Sequence, residues 1–129
     1  MRRPASRKAA RRQALFLLYQ WDLTGQELAS LFEGEPDDFA YSLADAVAAR
    51  APALDTRISA ASPDWPADRL GTLERNILRI GVYELEEHTV PREVAINEAV
   101  VLAKRYATED AARLVNGILA RVAREQEAA

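Results

Sequence analysis

Apolar side chains recur every three or four positions along almost the whole chain. That is the spacing of one face of an α-helix, and the alternating runs and Asn-Gly or Asp-Gly hairpin signals of a sheet are nearly absent. The pattern predicts an all-α protein. A first helix spans residues 6–23, with Ala10, Ala14, Leu17, Leu18 and Trp21 on one face and Gly25 as its stop. A short amphipathic piece follows over residues 26–32 and ends at the Gly-Glu-Pro of residues 34–36. The Asp37-Asp38 pair then caps a longer helix burying Phe39, Leu43, Ala46 and Val47, which Pro52 breaks. Another short helix over residues 53–61 runs into Ser-Pro-Asp-Trp-Pro, the best internal boundary in the chain.

Beyond that loop the patterning is stronger. Leu70, Leu73, Ile77 and Ile80 form one stripe and Leu78, Val82 and Leu85 another, which predicts a helix buried on two sides. Pro91 suits the first position of the next helix, whose inner face is Val94, Ala95, Ala99, Leu102, Ala103 and Tyr106. Thr108 suits the cap of the last helix. There Asn116-Gly117 would mark a turn as a dipeptide, yet Leu114, Val115, Ile118, Leu119 and Val122 keep helical phase through it. Gly117 is therefore expected inside the helix, where it would permit close packing of a neighbouring helix.

Charge changes the picture at the N-terminus. The first twelve residues hold six of the chain's 17 Lys and Arg and no acidic residue, so the remainder carries 11 basic against 20 acidic side chains, a formal −9. In helical projection Arg7, Lys8, Arg11 and Arg12 fall within about 140° and read as a ridge on the side away from Ala10, Ala14, Leu17 and Trp21. Leu15, Tyr19 and Phe16 continue the ridge as an apolar and aromatic patch. The basic part favours a nucleic-acid backbone and the apolar part a partner protein. A second basic stripe, Arg113, Arg121 and Arg124, clusters around Gly117; it suits either an anion or the negative end of the helix dipole.

Composition excludes most chemistry. There are no cysteines and one histidine, His88, which reads as a solvated residue beside Glu86 and Glu87 at a helix end. His- or Cys-based metal sites and thiolate nucleophiles are thus excluded by count. The five glycines are dispersed and form no phosphate loop. The carboxylate pairs, Glu86-Glu87 and Glu109-Asp110, lie at helix ends. No catalysis, metal or cofactor is expected. The absence of a signal peptide pattern, of a membrane-spanning apolar run and of cysteine suits the cytoplasm.

The stretches "ALFLLYQWDL", "LERNILRIGVYEL" and "VPREVAINEAVVLAKRYATEDAARLVNGIL" resemble the NusB family of bacterial transcription antitermination factors. The likeness covers residues 7–122, and only residues 24–62 are nondescript. It implies an all-α fold of two small helical bundles packed into one compact domain, here about residues 6–61 and 66–126. It also implies binding of the single-stranded boxA element of ribosomal RNA operons together with the ribosomal protein NusE. With other Nus factors the pair would then support processive elongation by RNA polymerase. Carried over, the RNA contacts are Arg7, Lys8 and Arg11, with Arg12 beside them, and on the last helix Asp110, Arg113, Leu114 and Asn116. Leu114 stands where some members carry an aromatic residue. The NusE contacts are Tyr19, Glu74 and Arg79; the residues alone single out Tyr19 and say nothing special about Glu74 or Arg79, which fit an ordinary solvated helix face equally well. The exposed apolar patch also suits a second copy of the chain.

The same module occurs fused ahead of RNA cytosine methyltransferase domains. A chain ending at Ala129 without one is expected to act as a binding factor. Two other readings are a helix-turn-helix DNA-binding protein, disfavoured by mainly apolar residues where a reading helix would be polar, and an interaction module with a basic tail.

Overall fold

The computed structural model describes residues 6–31, 34 and 37–128. Arg2 and Arg3 of the basic start, and Phe32, Glu35 and Pro36 at the end of the short second piece, lie outside the described residues. Among the described residues there are six α-helices: α1 (Arg7–Thr24), α2 (Asp38–Ala49), α3 (Ala51–Ala61), α4 (Thr72–Glu87), α5 (Arg92–Tyr106) and α6 (Glu109–Ala128). Single 3-10 turns, Leu28–Leu31 and Ala67–Arg69, lie in two of the connections, and no strand occurs among the described residues. None of these helices is long and apolar enough to cross a membrane.

Local sequence chemistry sets several of the ends. Ser6 Oγ accepts a hydrogen bond from the Ala9 amide at 3.1 Å, Asp37 Oδ2 one from Ala40 at 3.0 Å, and Thr108 Oγ1 one from Ala111 at 2.9 Å. Each satisfies an amide that the first helical turn leaves without an intrahelical partner. Gly25 ends α1 in the left-handed region at φ 75°, and its N–H donates to the Trp21 carbonyl at 2.9 Å. Two boundaries differ from expectation. The break between α2 and α3 falls at Arg50, so Pro52 lies in the first turn of α3, where its missing N–H costs nothing. Pro91 precedes α5 as its cap residue rather than opening it.

Helix α4 is the centre of the molecule. It packs against α1, α2 and α3 on one side and α5 and α6 on the other. Ile77, Leu78 and Val82 are fully buried on it, as the double stripe requires. The buried apolar side chains of both halves join in one cluster, from Ala14 and Leu18 of α1 to Leu119 and Val122 of α6. Helix α1 runs beside α5 in the same direction, since Lys8 meets Glu98 and Phe16 meets Tyr106. Helix α6 returns antiparallel to α5, pairing Glu127 with Arg92.

Three packing expectations are corrected. Val94 is 39% exposed because it lies about 140° round α5 from Ala99, off the arc that Ala95, Ala99, Leu102 and Ala103 turn inward. Leu15 is fully buried, because α1 is covered by α2 and α4 together and so hides a wider arc than a single-sided helix. Gly117 lies in the interior of α6 as expected but brings no helix close. A Cβ built on it meets nothing within 4 Å, and the residue is exposed. The close approach is at Gly81 of α4, where a Cβ would stand 2.7 Å from Leu119 Cδ1. An interior helical glycine costs about 1 kcal/mol relative to alanine. At Gly81 the fit of α4 against α6 offsets that cost; at Gly117 nothing among the described residues does.

Candidate nucleic-acid and partner interface

The arc of α1 left uncovered by α2 and α4 carries Lys8, Arg12, Phe16, Tyr19 and Leu23. It begins basic and ends apolar and aromatic. Phe16 is 42% and Tyr19 36% exposed, and the Phe16 and Tyr106 rings pack in a T-shaped arrangement with centroids 5.1 Å apart. At the basic end Arg7 and Lys8 are exposed and Arg12 is half-buried. The Arg7 guanidinium lies 3.9 Å from the centre of the Phe39 ring, a cation–π contact that fixes its stem and leaves its charge available. Lys8 Nζ lies 3.8 Å from Glu98. Arg12 has no ion pair among the described residues. The first turn of α1 holds no acidic residue, so the positive end of the helix dipole adds to these cations.

Arg11 does not belong to this ridge. It is only 3% exposed, and its guanidinium forks onto Glu84 of α4, with Nε to Oε1 at 2.9 Å and Nη2 to Oε2 at 2.9 Å. The reason lies in projection: Arg11 sits about 60° from Ala14, at the edge of the covered arc. The small side chains Ala10 and Ala14 let α4 approach, and Glu84 meets the buried guanidinium with two parallel charge-assisted hydrogen bonds.

Arg79 is likewise internal, 5% exposed. Its Nε and Nη2 donate to the two Asp55 carboxylate oxygens at 2.7 and 2.6 Å, and its Nη1 donates to Asp22 at 2.9 Å and to Asn76 Oδ1 at 3.0 Å. Arg75 and Asn76 also donate to Asp22 Oδ2, from 3.0 Å each. Burial by itself would raise the Asp22 carboxyl, but the Arg75 and Asn76 hydrogen bonds and the Arg79 charge outweigh it and hold its pKa below the ordinary value. Burial likewise works against the Arg79 charge, and the two carboxylates outweigh it and raise its pKa. This network ties the end of α1 to α3 and α4. Of the two readings open for Arg79, a partner contact or a solvated face, neither describes a side chain so enclosed. Glu74, one turn earlier on α4, is half-buried and folds back over Gly71, where a Cβ would stand 2.2 Å from its Oε2.

On α6, Asp110, Arg113 and Asn116 are exposed and Leu114 is half-buried against the core. Arg113 pairs with Asp110. Arg121 is held by Glu125 at 3.0 Å, and Arg124 is exposed with no ion pair among the described residues. His88 caps α4 in the left-handed region at φ 53° and is exposed, as are Glu86 and Glu87.

Residues 8–124 match the sequence profile of the NusB family. The chain belongs to that family. The transcription antitermination protein NusB of Rubrobacter xylanophilus is 40% identical over 121 residues, covering 88% of this chain and 87% of that one. The NusB protein of Dictyoglomus thermophilum is 42% identical over 125 residues, covering 94% and 86%. A crystal structure of antitermination factors NusB and NusE in complex with dsRNA superposes with a TM-score of 0.81 at 33% identity, covering 92% and 96%. T. maritima NusB superposes at 0.83 with 29% identity, covering 95% and 94%.

Within this NusB-family chain, sequence patterning missed the two buried arginine sites. The available signal was on α4 itself: a helix buried on two sides has little circumference to expose, so Arg79 and Glu84 needed buried partners. Asp22, Asp55 and Glu84 carry no such mark in the sequence, because their arginines lie 73 residues away for Glu84 and 57 and 24 for the other two.

Proposed function

We propose that this chain is a transcription antitermination factor that acts in the cytoplasm by binding RNA and NusE, without turnover. The RNA is the boxA element of ribosomal RNA operons, and with other Nus factors the complex supports elongating RNA polymerase. Residues 6–61 and 66–126 are its two bundles. The observation that carries the reading is the outward arc of α1, where Lys8 and Arg12 pass directly into Phe16, Tyr19 and Leu23. The relative solved with NusE and dsRNA supports it.

Arg7, Lys8 and Arg12 neutralise phosphates, and Asp110, Arg113, Leu114 and Asn116 offer a second contact on α6. Tyr19 and Glu74 face NusE. Arg11 and Arg79 act from inside, Arg11 by seating α1 on α4 and Arg79 by fixing the α1 end that presents Tyr19. Binding of a boxA RNA, a scrambled RNA and duplex DNA, each titrated with salt, tests the reading. Preference for boxA with a log–log slope near −2 is expected for about three phosphates on a single strand. Equal affinity for all three ligands would overturn it. Tyr19→Ala is expected to weaken NusE at least tenfold while leaving the RNA slope unchanged.

A further inference from the structure

A cleft of about 700 Å³ opens where the end of α4, the start of α5 and the end of α6 meet. That volume is within the range of roughly 300–1,000 Å³ common for sites that take a ligand. Its floor is apolar, formed by buried Leu85 and Ala123 with half-buried Val90. The charges around it are not those that helix stability alone would select. The last turns of α4 and α6 hold no Lys or Arg. They carry Glu86, Glu87, Glu125 and Glu127 instead, where the negative end of a helix dipole disfavours a carboxylate. Glu87, Glu125 and Glu127 are each paired with an arginine, whereas Glu86 is exposed and has no ion pair among the described residues. The carbonyls in the last turn of α4 add further acceptors. Among the described residues one side chain donates to them, Gln126 Nε2 to Leu85 at 3.0 Å.

We propose that this cleft docks a basic, amphipathic segment of a partner protein. An apolar side chain of that segment rests on Leu85, Val90 and Ala123, and a Lys or Arg beside it meets Glu86, Glu127 and the last carbonyls of α4. Charge selects the occupant. Carboxylates and helix C-termini attract an ammonium or guanidinium and repel a phosphate, so the cleft does not suit RNA. A second copy presenting the same face would set glutamate against glutamate. Arg92 and Glu127 both line the cleft and pair with each other, with side chains 41% and 58% exposed. An exposed pair of this kind contributes little, so Glu127 can exchange Arg92 for an incoming cation at small cost. None of the residues assigned above to RNA or NusE lines the cleft. The inference therefore does not depend on that reading, and either can fail without the other.

The probe is a labelled peptide with Lys and Leu at helical spacing, titrated onto the full chain and followed by fluorescence anisotropy and by NMR amide shifts. Peptides with Glu in place of Lys, or Ser in place of Leu, are the controls. Binding of the Lys-Leu peptide alone is expected, with shifts centred on Leu85, Val90 and Ala123. Glu86→Lys combined with Glu127→Lys should weaken it by about tenfold or more at low salt. Glu86→Lys by itself places a cation at a helix C-terminus, so melting should rise by about 1–4 °C while peptide affinity falls. A Glu86 with a purely structural role would not separate the two. Equal binding of the Glu-Leu peptide, unchanged affinity in the double variant, or shifts centred on Phe16 and Tyr19 would overturn the proposal, as would no binding of the Lys-Leu peptide at millimolar concentration. A solution mass that halves in the double variant would assign the cleft to a second copy and overturn it likewise.

Discussion

Replacing Arg11 separates a structural cation from a binding one. The Arg11–Glu84 pair is buried on both sides, with side chains 4% and 3% exposed. In Arg11→Met the aliphatic stem is kept and the guanidinium removed, which leaves the Glu84 carboxylate buried without a partner. Breaking a buried pair from one side costs about 3–5 kcal/mol, against a total of about 5–15 kcal/mol for a domain of ordinary stability. Melting should fall by about 10–20 °C on that basis. The double replacement Arg11→Met with Glu84→Leu removes the orphaned charge and should restore most of the loss, because an apolar pair of similar volume is often as stable as the ion pair it replaces.

Urea unfolding of wild type, both singles and the double gives the interaction energy as a double-mutant cycle. RNA titration against salt, at a temperature where every variant is folded, gives the other half. Arg11→Met should leave the salt slope unchanged, whereas Arg7→Ala and Arg12→Ala should each flatten it by about 0.7. Loss of slope in Arg11→Met, with stability changed by less than about 1 kcal/mol, would refute the assignment of Arg11 to the interior.

The Asp22 network predicts an acid limb. Because the folded pKa of Asp22 lies below its ordinary value of 3.8, its contribution is fully present above that value and is lost as pH falls through the folded pKa. Asp22→Asn should cost about 1–3 kcal/mol near neutrality, with the gap to wild type closing as pH drops below 4; a gap independent of pH would contradict the linkage. Gly81→Ala should behave oppositely to Gly117→Ala, which puts a better helix former into open space. Pressing a methyl against buried Leu119 costs about 1–3 kcal/mol, more than the helix gains, so equal melting temperatures in the two variants would refute the close packing of α4 on α6.

Much of the fold was legible because its signals are local. Ser6, Asp37 and Thr108 announce helix starts three residues ahead of the amides they cap, Gly25 announces an end, and the phase of Leu114, Ile118 and Val122 overrides the turn suggested by Asn116-Gly117. Arcs were less legible than elements. How much of a helix is covered depends on how many neighbours it has, which periodicity does not report. That is why Leu15 and Arg11 read as outward when α2 and α4 together enclose them. The two glycines make the same point. In sequence both are helical interruptions of equal cost, and only the position of Leu119 distinguishes the one that admits a helix from the one left open.

The excess of acidic residues then takes on a specific meaning. A chain with 17 cations and a net charge of −3 would be a poor nucleic-acid binder if its charges were mixed evenly. Here Glu84, Asp22 and Asp55 hold Arg11, Arg75 and Arg79 inside, so these pairs contribute rigidity and almost no external field. Of the cations left at the surface, Arg7, Lys8 and half-buried Arg12 at the start of α1 carry the potential that RNA would meet under the proposed function. The internal pairs in turn fix how the outward ones are held, since Arg11 and Arg12 are neighbours on one helix and the seating of the first sets the direction of the second. Loss of the Arg11 pair should therefore reach RNA affinity only through the orientation of α1. It should appear as a smaller fraction of competent protein rather than as fewer phosphates contacted, a distinction that the salt slope resolves and a single affinity does not.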